Sequence, residues 1–411
     1  MSAITEPATG SMRTATPSRT RHATGFWIVA FAFLVAMGFG TVPAPLYVLY
    51  QARDGFPTFT VTIVFAAYTV GVTVALTLAG HLSDVHGRRR MILIALALEL
   101  VAALLFIVWS AVPGLLVARF VTGLGIGTLT AAATAHMGEL RVRATNDDRA
   151  AAGASVVSSA VNLGGLGLGA LIGGALAEFV GKPLMTPYVI FVVLLAVAFV
   201  LMLFVPETVD RNQPRRAYRP QAVQAPAGKA AAFWSSGLAV FSAFALMGIF
   251  TSITPTILGQ TFHVTDRLAA GASTFGVFAA AAVAQMLLAG LARRTQIVTG
   301  MVLVAIGLVA IAGATIALVA WVFIVGGIVA GAGVGLLFRA ALAGAAGLVG
   351  PEHRGGVLAA TFLIAYVGMA LPVLIAGALL LVVPTLPVLI GFAAVVMALA
   401  LWSGARLAAR A

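Results

Sequence analysis

Two ionisable residues lie in stretches where charge is expensive. Glu99 is inside the apolar run that follows Arg88-Arg89-Arg90, and Arg119 is inside the next, in Leu115-Leu116-Val117-Ala118-Arg119-Phe120. Burial disfavours the charged form of a carboxylate. A glutamate that can take up and release a proton inside hydrocarbon is what a proton carrier needs. An arginine within an apolar span costs about 2.5–3.5 kcal/mol at the helix centre on insertion scales, so it should face a cavity or a partner. If the two runs are antiparallel neighbours turning near residues 111–112, residue 119 lies opposite about residue 104. Glu99 and Arg119 are then offset by five positions, or ~7.5 Å at 1.5 Å per residue, a gap that two long side chains can close. Glu99 and Arg119 are therefore the expected proton-coupling pair. His136 titrates near neutral pH when unperturbed, but its place near the end of its run suits packing better than proton relay. The other carboxylates fall in loops or at the ends of apolar runs. The chain has no cysteine, which excludes disulfides, thiolate metal sites and cysteine nucleophiles. No nucleophile–base pair and no metal cluster is evident, so the expectation is no enzyme, no metal and no cofactor.

These residues need elements that hold them in hydrocarbon. Of 411 residues, 61% are hydrophobic and 9% charged, against about 25% charged in a soluble domain. Lipid, not water, is the solvent such a chain suits. A membrane helix needs about 20 apolar residues. Runs of that kind cover 25–48, 60–82, 91–110, 113–138, 152–177, 186–205, 233–256, 271–291, 297–316, 321–343, 356–382 and 386–404. The expectation is an all-α polytopic membrane protein with twelve transmembrane helices. No charged residue separates the ninth run from the tenth. The first run is too long for a signal-peptide core and reads as an uncleaved span.

The net charge of +12 follows from topology and does not call for nucleic acid. Arg88 to Arg90, Arg141, Arg143, Arg149, Arg293, Arg294, Arg354 and Arg406 fall on one side of the alternating spans, with the basic N-terminal tail and the 207–232 linker. The other side holds Arg53, Lys182 and Arg267. The asymmetry places both termini in the cytoplasm. The richness in alanine, glycine and arginine suggests a high-GC bacterial genome. Residues 207–232 are rich in Pro, Gln and Arg and read as a mobile linker. The expected organisation is a 1–24 tail, a 25–206 six-helix bundle, the 207–232 linker, a 233–404 six-helix bundle and a 405–411 tail.

The two halves rhyme. Pro45 precedes Gly80 by 35 residues, as Pro255 precedes Gly290. With a shift of two, Gly123, Gly125 and Gly127 match Gly331, Gly333 and Gly335, and Asp147-Asp148-Arg149 matches Glu352-His353-Arg354. Parallel repeats about an axis along the membrane normal are a transporter layout.

The loop Gly80-His81-Leu82-Ser83-Asp84-Val85-His86-Gly87-Arg88-Arg89-Arg90 resembles the signature between helices 2 and 3 of the major facilitator superfamily. Val85 stands where that family usually has a basic residue. Arg119 with Gly123 resembles the helix 4 motif of its proton-coupled members. Gly165-Leu166-Gly167-Leu168-Gly169-Ala170-Leu171-Ile172-Gly173-Gly174 resembles the helix 5 antiporter motif, with Ala170 in place of a proline. Val205-Pro206-Glu207-Thr208 is similar to the end of helix 6 in this family, whereas Leu291-Ala292-Arg293-Arg294 lacks the acidic residue of the first-half loop. The resemblance covers 25–404 and implies the major facilitator fold of two six-helix bundles.

From this follow the site expectations. Gly80, Asp84, Gly87, Arg88, Arg89 and Glu139 should form a cytoplasmic gate, with Arg88 bridging Asp84 and Glu139 and with Asp84 near Gly355 and Gly356. Gly165, Gly169, Gly173 and Gly174 should be a packing interface against Ala279 to Ala284 of the eighth helix. Helices 1, 4, 7 and 10 should line the pathway; Phe31, Met37, Phe39, Thr41, Phe244, Met247, Thr251 and Thr254 suit a moderately apolar organic solute better than a sugar. The implied activity is proton-coupled efflux of small drug-like molecules by a monomer in the bacterial cytoplasmic membrane, its partners being the substrate, protons and lipid. Proton-coupled uptake of a metabolite and a non-transporting sensor are the alternatives.

Overall fold

In hydrocarbon a backbone N–H or C=O finds no water, so apolar runs this long become helices that satisfy themselves. The computed structural model describes residues 18–79, 86–209, 225–226 and 228–411. Among them are fourteen α-helices and no strand. The first span comprises α1 (Arg19–Phe39), a 3-10 turn at Ala44–Leu46 and α2 (Tyr47–Asp54). Then follow α3 (Thr58–Ala79), α4 (Arg88–Val108), α5 (Val112–Thr145), α6 (Ala150–Phe179) and α7 (Thr186–Met202). The seventh span is α8 (Ala230–Ser252) with α9 (Thr254–Gln260). The rest are α10 (Arg267–Leu287), α11 (Arg293–Ala317), α12 (Ala320–Ala346), α13 (Pro351–Leu379) and α14 (Thr385–Ala408).

Each of the twelve expected runs is helical over most of its described residues. Eleven helical stretches are long and apolar enough to cross a membrane, and α7 is an apolar helix of 17 residues. The ninth and tenth spans part at Leu318, whose φ of 57° is left-handed, and the helix resumes at Ala320. Several helices outrun their apolar stretch; α5 continues to Thr145, where Asn146 caps it in a left-handed conformation. Hydropathy marks the hydrocarbon, whereas the helix stops at its cap.

The repeat shows in the breaks. The first span interrupts its α-helix around Pro43 and Pro45, the seventh at Ile253 ahead of Pro255. Proline lacks the N–H that would continue the ladder. Both broken segments are wholly buried, from Val35 to Tyr47 and from Ala245 to Leu258. The glycines of α5 and α12 pack alike. Gly123 and Gly127 meet Tyr68 and Val72 of α3, while Gly125 meets Ala95 and Glu99 of α4. Gly331 and Gly335 meet Val277 and Ala281 of α10, while Gly333 meets Gly300 and Val304 of α11.

One apolar core joins α1 to α7 and another joins α8 to α14, with Phe65 of α3 reaching into the second. Between them α6 lies against α10 and α3 against α13. The helix ends at Arg88–Arg90, Arg141–Arg149, Arg293 and Arg354 define an arginine-rich face; Arg53, Lys182 and Arg267 mark the opposite, arginine-poor face. Near the arginine-poor face the halves are tied by Thr256 Oγ1 donating to Gln51 Oε1 at 2.8 Å and by the Arg267–Glu178 ion pair at 3.3 Å.

Candidate functional site

A broken helix frees carbonyls, and something must satisfy them. At the first break the freed carbonyl of Gly40 accepts a hydrogen bond from Arg119 Nη1 at 2.7 Å. The guanidinium carbon also lies 4.7 Å from the Tyr68 ring centre and 5.8 Å from that of Phe65. Arg119 is 1% exposed. A planar, weakly hydrated cation is well matched to aromatic faces and one carbonyl. At the second break the corresponding carbonyl, of Phe250, accepts from Thr274 Oγ1 at 2.8 Å. Gly327 stands at Arg119's place in the repeat, and the Phe250 ring fills the space above it. Each half thus satisfies the carbonyl at its break with one side chain, from the fourth span in the first half and from the eighth span in the second.

Glu99 is fully buried, and neither carboxylate oxygen has a hydrogen-bond partner. Its carboxyl group rests on the backbone at Gly125, where a Cβ would collide with it. The expected pair with Arg119 is not formed. The antiparallel register placed residue 99 opposite about 124, and the contact at Gly125 agrees. The offset from Arg119 remains because that side chain turns towards α1 and α3, leaving Glu99 on the α4 side of α5. At Glu99's place in the repeat stands Gly307, which meets α12 backbone at Gly326 and Ala330.

The first and seventh spans each present one accessible stripe at their arginine-rich halves: Trp27, Phe31 and Leu34 on α1, and Trp234, Phe241 and Phe244 on α8. Beyond Leu34 and Phe244 both spans are closed in. Phe244 packs with Phe338 at 5.4 Å and edge-on with Tyr366 at 5.6 Å, and Phe338 with Phe362 at 6.3 Å. Tyr366 touches both cores. These partly exposed rings of α8, α12 and α13 form an aromatic wall where the halves meet. Met37, Phe39, Thr41, Met247, Thr251 and Thr254, expected to line the pathway, are buried instead.

At the arginine-rich face Arg88 Nε donates to Glu139 Oε1 at 3.4 Å, tying α4 to α5 within the first bundle. Gly80 and Asp84 lie outside the described residues, and with them the expected Asp84 contacts. Gly87 has φ 101°, and a Cβ there would strike the Glu207 carboxylate. That carboxylate accepts from the Arg88 N–H at 3.0 Å and the Thr208 N–H at 2.9 Å, an anion at the N-terminus of α4. Arg89 donates to the carbonyls of Met202 and Leu203 at the end of α7. Thr208 Oγ1 donates to Glu139 Oε2, so His136 Nδ1, 2.9 Å from that hydroxyl, is its donor. His136 is a buried packing residue of this network.

The glycine face is corrected. Gly165, Gly169 and Gly173 do share a face, but it packs on the first span: Cβ atoms there would meet Leu34 and Met37, Gly38, and Val42 with Pro45. Gly167 and Gly174, about 200° and about 180° around the helix from Gly165, meet α10 at Phe275 with Phe278 and at Arg267 with Gly271. Of the four expected residues only Gly174 touches the eighth span, and the contact lies nearer the arginine-poor face than Ala279 to Ala284. Small residues two apart mark two faces, and spacing alone does not assign them.

The motif reading passes over Glu207 as a helix cap, Thr274 and Arg339. Position in the repeat finds Thr274, because a second break needs a second donor. Arg339 carries the same signal as Arg119, a cation inside an apolar run.

A model of the Major Facilitator Superfamily matches residues 28–371. An uncharacterized MFS-type transporter of Methanocaldococcus jannaschii is 28% identical over 155 residues, covering 38% of this chain and 38% of the relative's length. The crystal structure of the human organic anion transporter TETRAN superposes with TM-score 0.66 at 17% identity over 95% of this chain and 100% of that one. The nucleoside transporter NupG does so with TM-score 0.67 at 13% identity over 93% and 99%. At these identities the structural likeness is one of fold.

Proposed function

Because the chain belongs to the Major Facilitator Superfamily, we propose that it is a secondary active transporter exporting small, drug-like organic molecules in exchange for protons. The observation that carries the proton coupling is Glu99. It is the only buried carboxylate among the described residues, and it has no hydrogen-bond partner. Ionising it there is costly and protonating it is favourable, so a conformation that exposes it exchanges a proton. Arg119 is hydrogen-bonded to Gly40 and not to Glu99.

The substrate class rests on the aromatic wall of Phe244, Phe338, Phe362 and Tyr366, which offers faces for stacking and few polar groups. TETRAN carries organic anions and NupG nucleosides, both organic solutes. The arginine-rich face is the cytoplasmic one, with both termini there, in the membrane of a bacterium. The bundles 25–206 and 233–404 rock about the mid-membrane site, joined by the 207–232 linker. The monomer is the working unit. Gly87, Arg88, Arg89 and Glu139 belong to the gate at the cytoplasmic end in this cycle.

Proteoliposomes with an imposed pH gradient and a panel of aromatic solutes test the reading. Solute movement opposite to proton flow supports export. Movement with the protons makes it an uptake symporter, and no flux of any solute makes it a sensor. Phe244→Ala should weaken transport of aromatic members most; equal loss for all solutes counts against the wall as their site.

A further inference from the structure

Arg339 is a cation on the outside of the second bundle. It lies in α12, whose other sides are occupied: Gly331 and Gly335 meet α10, Gly333 meets α11, and Gly327 and Phe338 meet α8. The remaining side carries Trp321 (67% exposed), Val325 (48% exposed), Arg339 and Ala343. Trp321 and Val325 are apolar and exposed in a membrane-spanning helix, so this side faces lipid. Arg339 donates Nη1 to the Gln285 carbonyl of α10 at 2.9 Å. Among the described residues no carboxylate pairs with it. The corresponding residue of the first half is Ala131, so the repeat does not require an arginine here.

Depth follows from the helix. Trp321 and Arg339 are 18 positions apart, about 27 Å at 1.5 Å per residue. The hydrocarbon of a bilayer is about 30 Å thick, and tryptophan favours its interface. With Trp321 at the arginine-poor boundary, the Arg339 guanidinium lies at the opposite one, level with the lipid phosphates. An arginine at that depth reaches the headgroup layer, where the lipid phosphates are the anions at hand.

We infer that Arg339, held in place by the Gln285 carbonyl, binds the phosphate of an anionic phospholipid in the groove between α10 and α12. One guanidinium edge is fixed to protein and the remaining N–H groups face the headgroup layer, where a phosphate accepts two of them side by side. Neighbouring cations at the start of α11, such as the exposed Arg294, favour a net-negative headgroup over a zwitterionic one.

Thermal unfolding of the purified full chain in detergent, titrated with dioleoyl-phosphatidylglycerol, dioleoyl-phosphatidylcholine or sodium phosphate, tests this. The wild type should gain stability saturably with phosphatidylglycerol and not with the other two. Arg339→Gln should raise the half-saturating concentration about tenfold, as for loss of a charge-assisted hydrogen bond; Arg339→Lys and Arg294→Gln should each raise it less. An unchanged titration in Arg339→Gln overturns the site. So does an equal response to phosphatidylcholine, and an equal response to free phosphate makes it a site for soluble anions. Should Arg339→Gln not fold, the wild-type comparison of the two lipids and the Arg339→Lys titration still decide.

Discussion

Arg119 and Gly40 answer each other: the helix break at Gly40 leaves a carbonyl in hydrocarbon, and the arginine 79 residues later fills it from 2.7 Å away. Neither is comfortable alone. A lone arginine at mid-span costs insertion energy, and an unsatisfied buried carbonyl costs about 1–3 kcal/mol. Arg119→Met should therefore destabilise the first bundle by about that amount and abolish transport. Unfolding in detergent measures the first, and flux in proteoliposomes the second. Unchanged stability would mean that water replaces the guanidinium at Gly40.

Glu99→Gln keeps the shape against Gly125 and removes the titratable group. Solute binding and unfolding temperature should change little, while accumulation driven by a pH gradient is lost. A variant that still concentrates solute against its gradient would assign Glu99 to packing.

Gly169 and Gly174 sit five residues apart and should fail differently. A side chain at Gly169 meets Gly38 within the first bundle, so Gly169→Leu should lower folded yield. A methyl at Gly174 meets the α10 backbone of the other bundle, so Gly174→Ala should fold but push the halves apart at the arginine-poor face. Spin labels at Gly181 and Thr265 would read the separation, and a chain without cysteine makes such labelling clean. Equal behaviour of the two variants would refute this assignment of faces.

Thr256→Val removes the hydroxyl that bonds Gln51 across the halves. One neutral hydrogen bond contributes about 0.5–1.5 kcal/mol net, enough to shift a two-state population by about two- to tenfold. The variant should label faster at a cysteine placed at Gly55, in the 440 Å³ vestibule that Gln51, Phe56, Gln260 and Gly377 help to line. An unchanged labelling rate would show that this bond does not hold the face shut.

Much of this architecture can be read from residues alone, because lipid enforces it. Twelve apolar runs become helices for lack of any other partner, and prolines at equal places in two halves break the same span twice. Directions around a helix are another matter. The glycines of α6 are spaced for two faces at once, and nothing in their spacing chooses α1 over α10. Arg119 and Glu99 are both conspicuous in the sequence and their register was legible. Their separation was not, because it depends on Gly40, whose freed carbonyl exists only once the first span has broken.

That dependence orders the making of the protein. While the chain emerges, the first span waits in the bilayer with its Gly40 carbonyl unmet, and the second and third spans supply no side-chain donor to it. The fourth span brings in Arg119, which enters poorly by itself. Each defect is the other's remedy, so the Gly40 carbonyl has its side-chain donor only once the fourth span is in place.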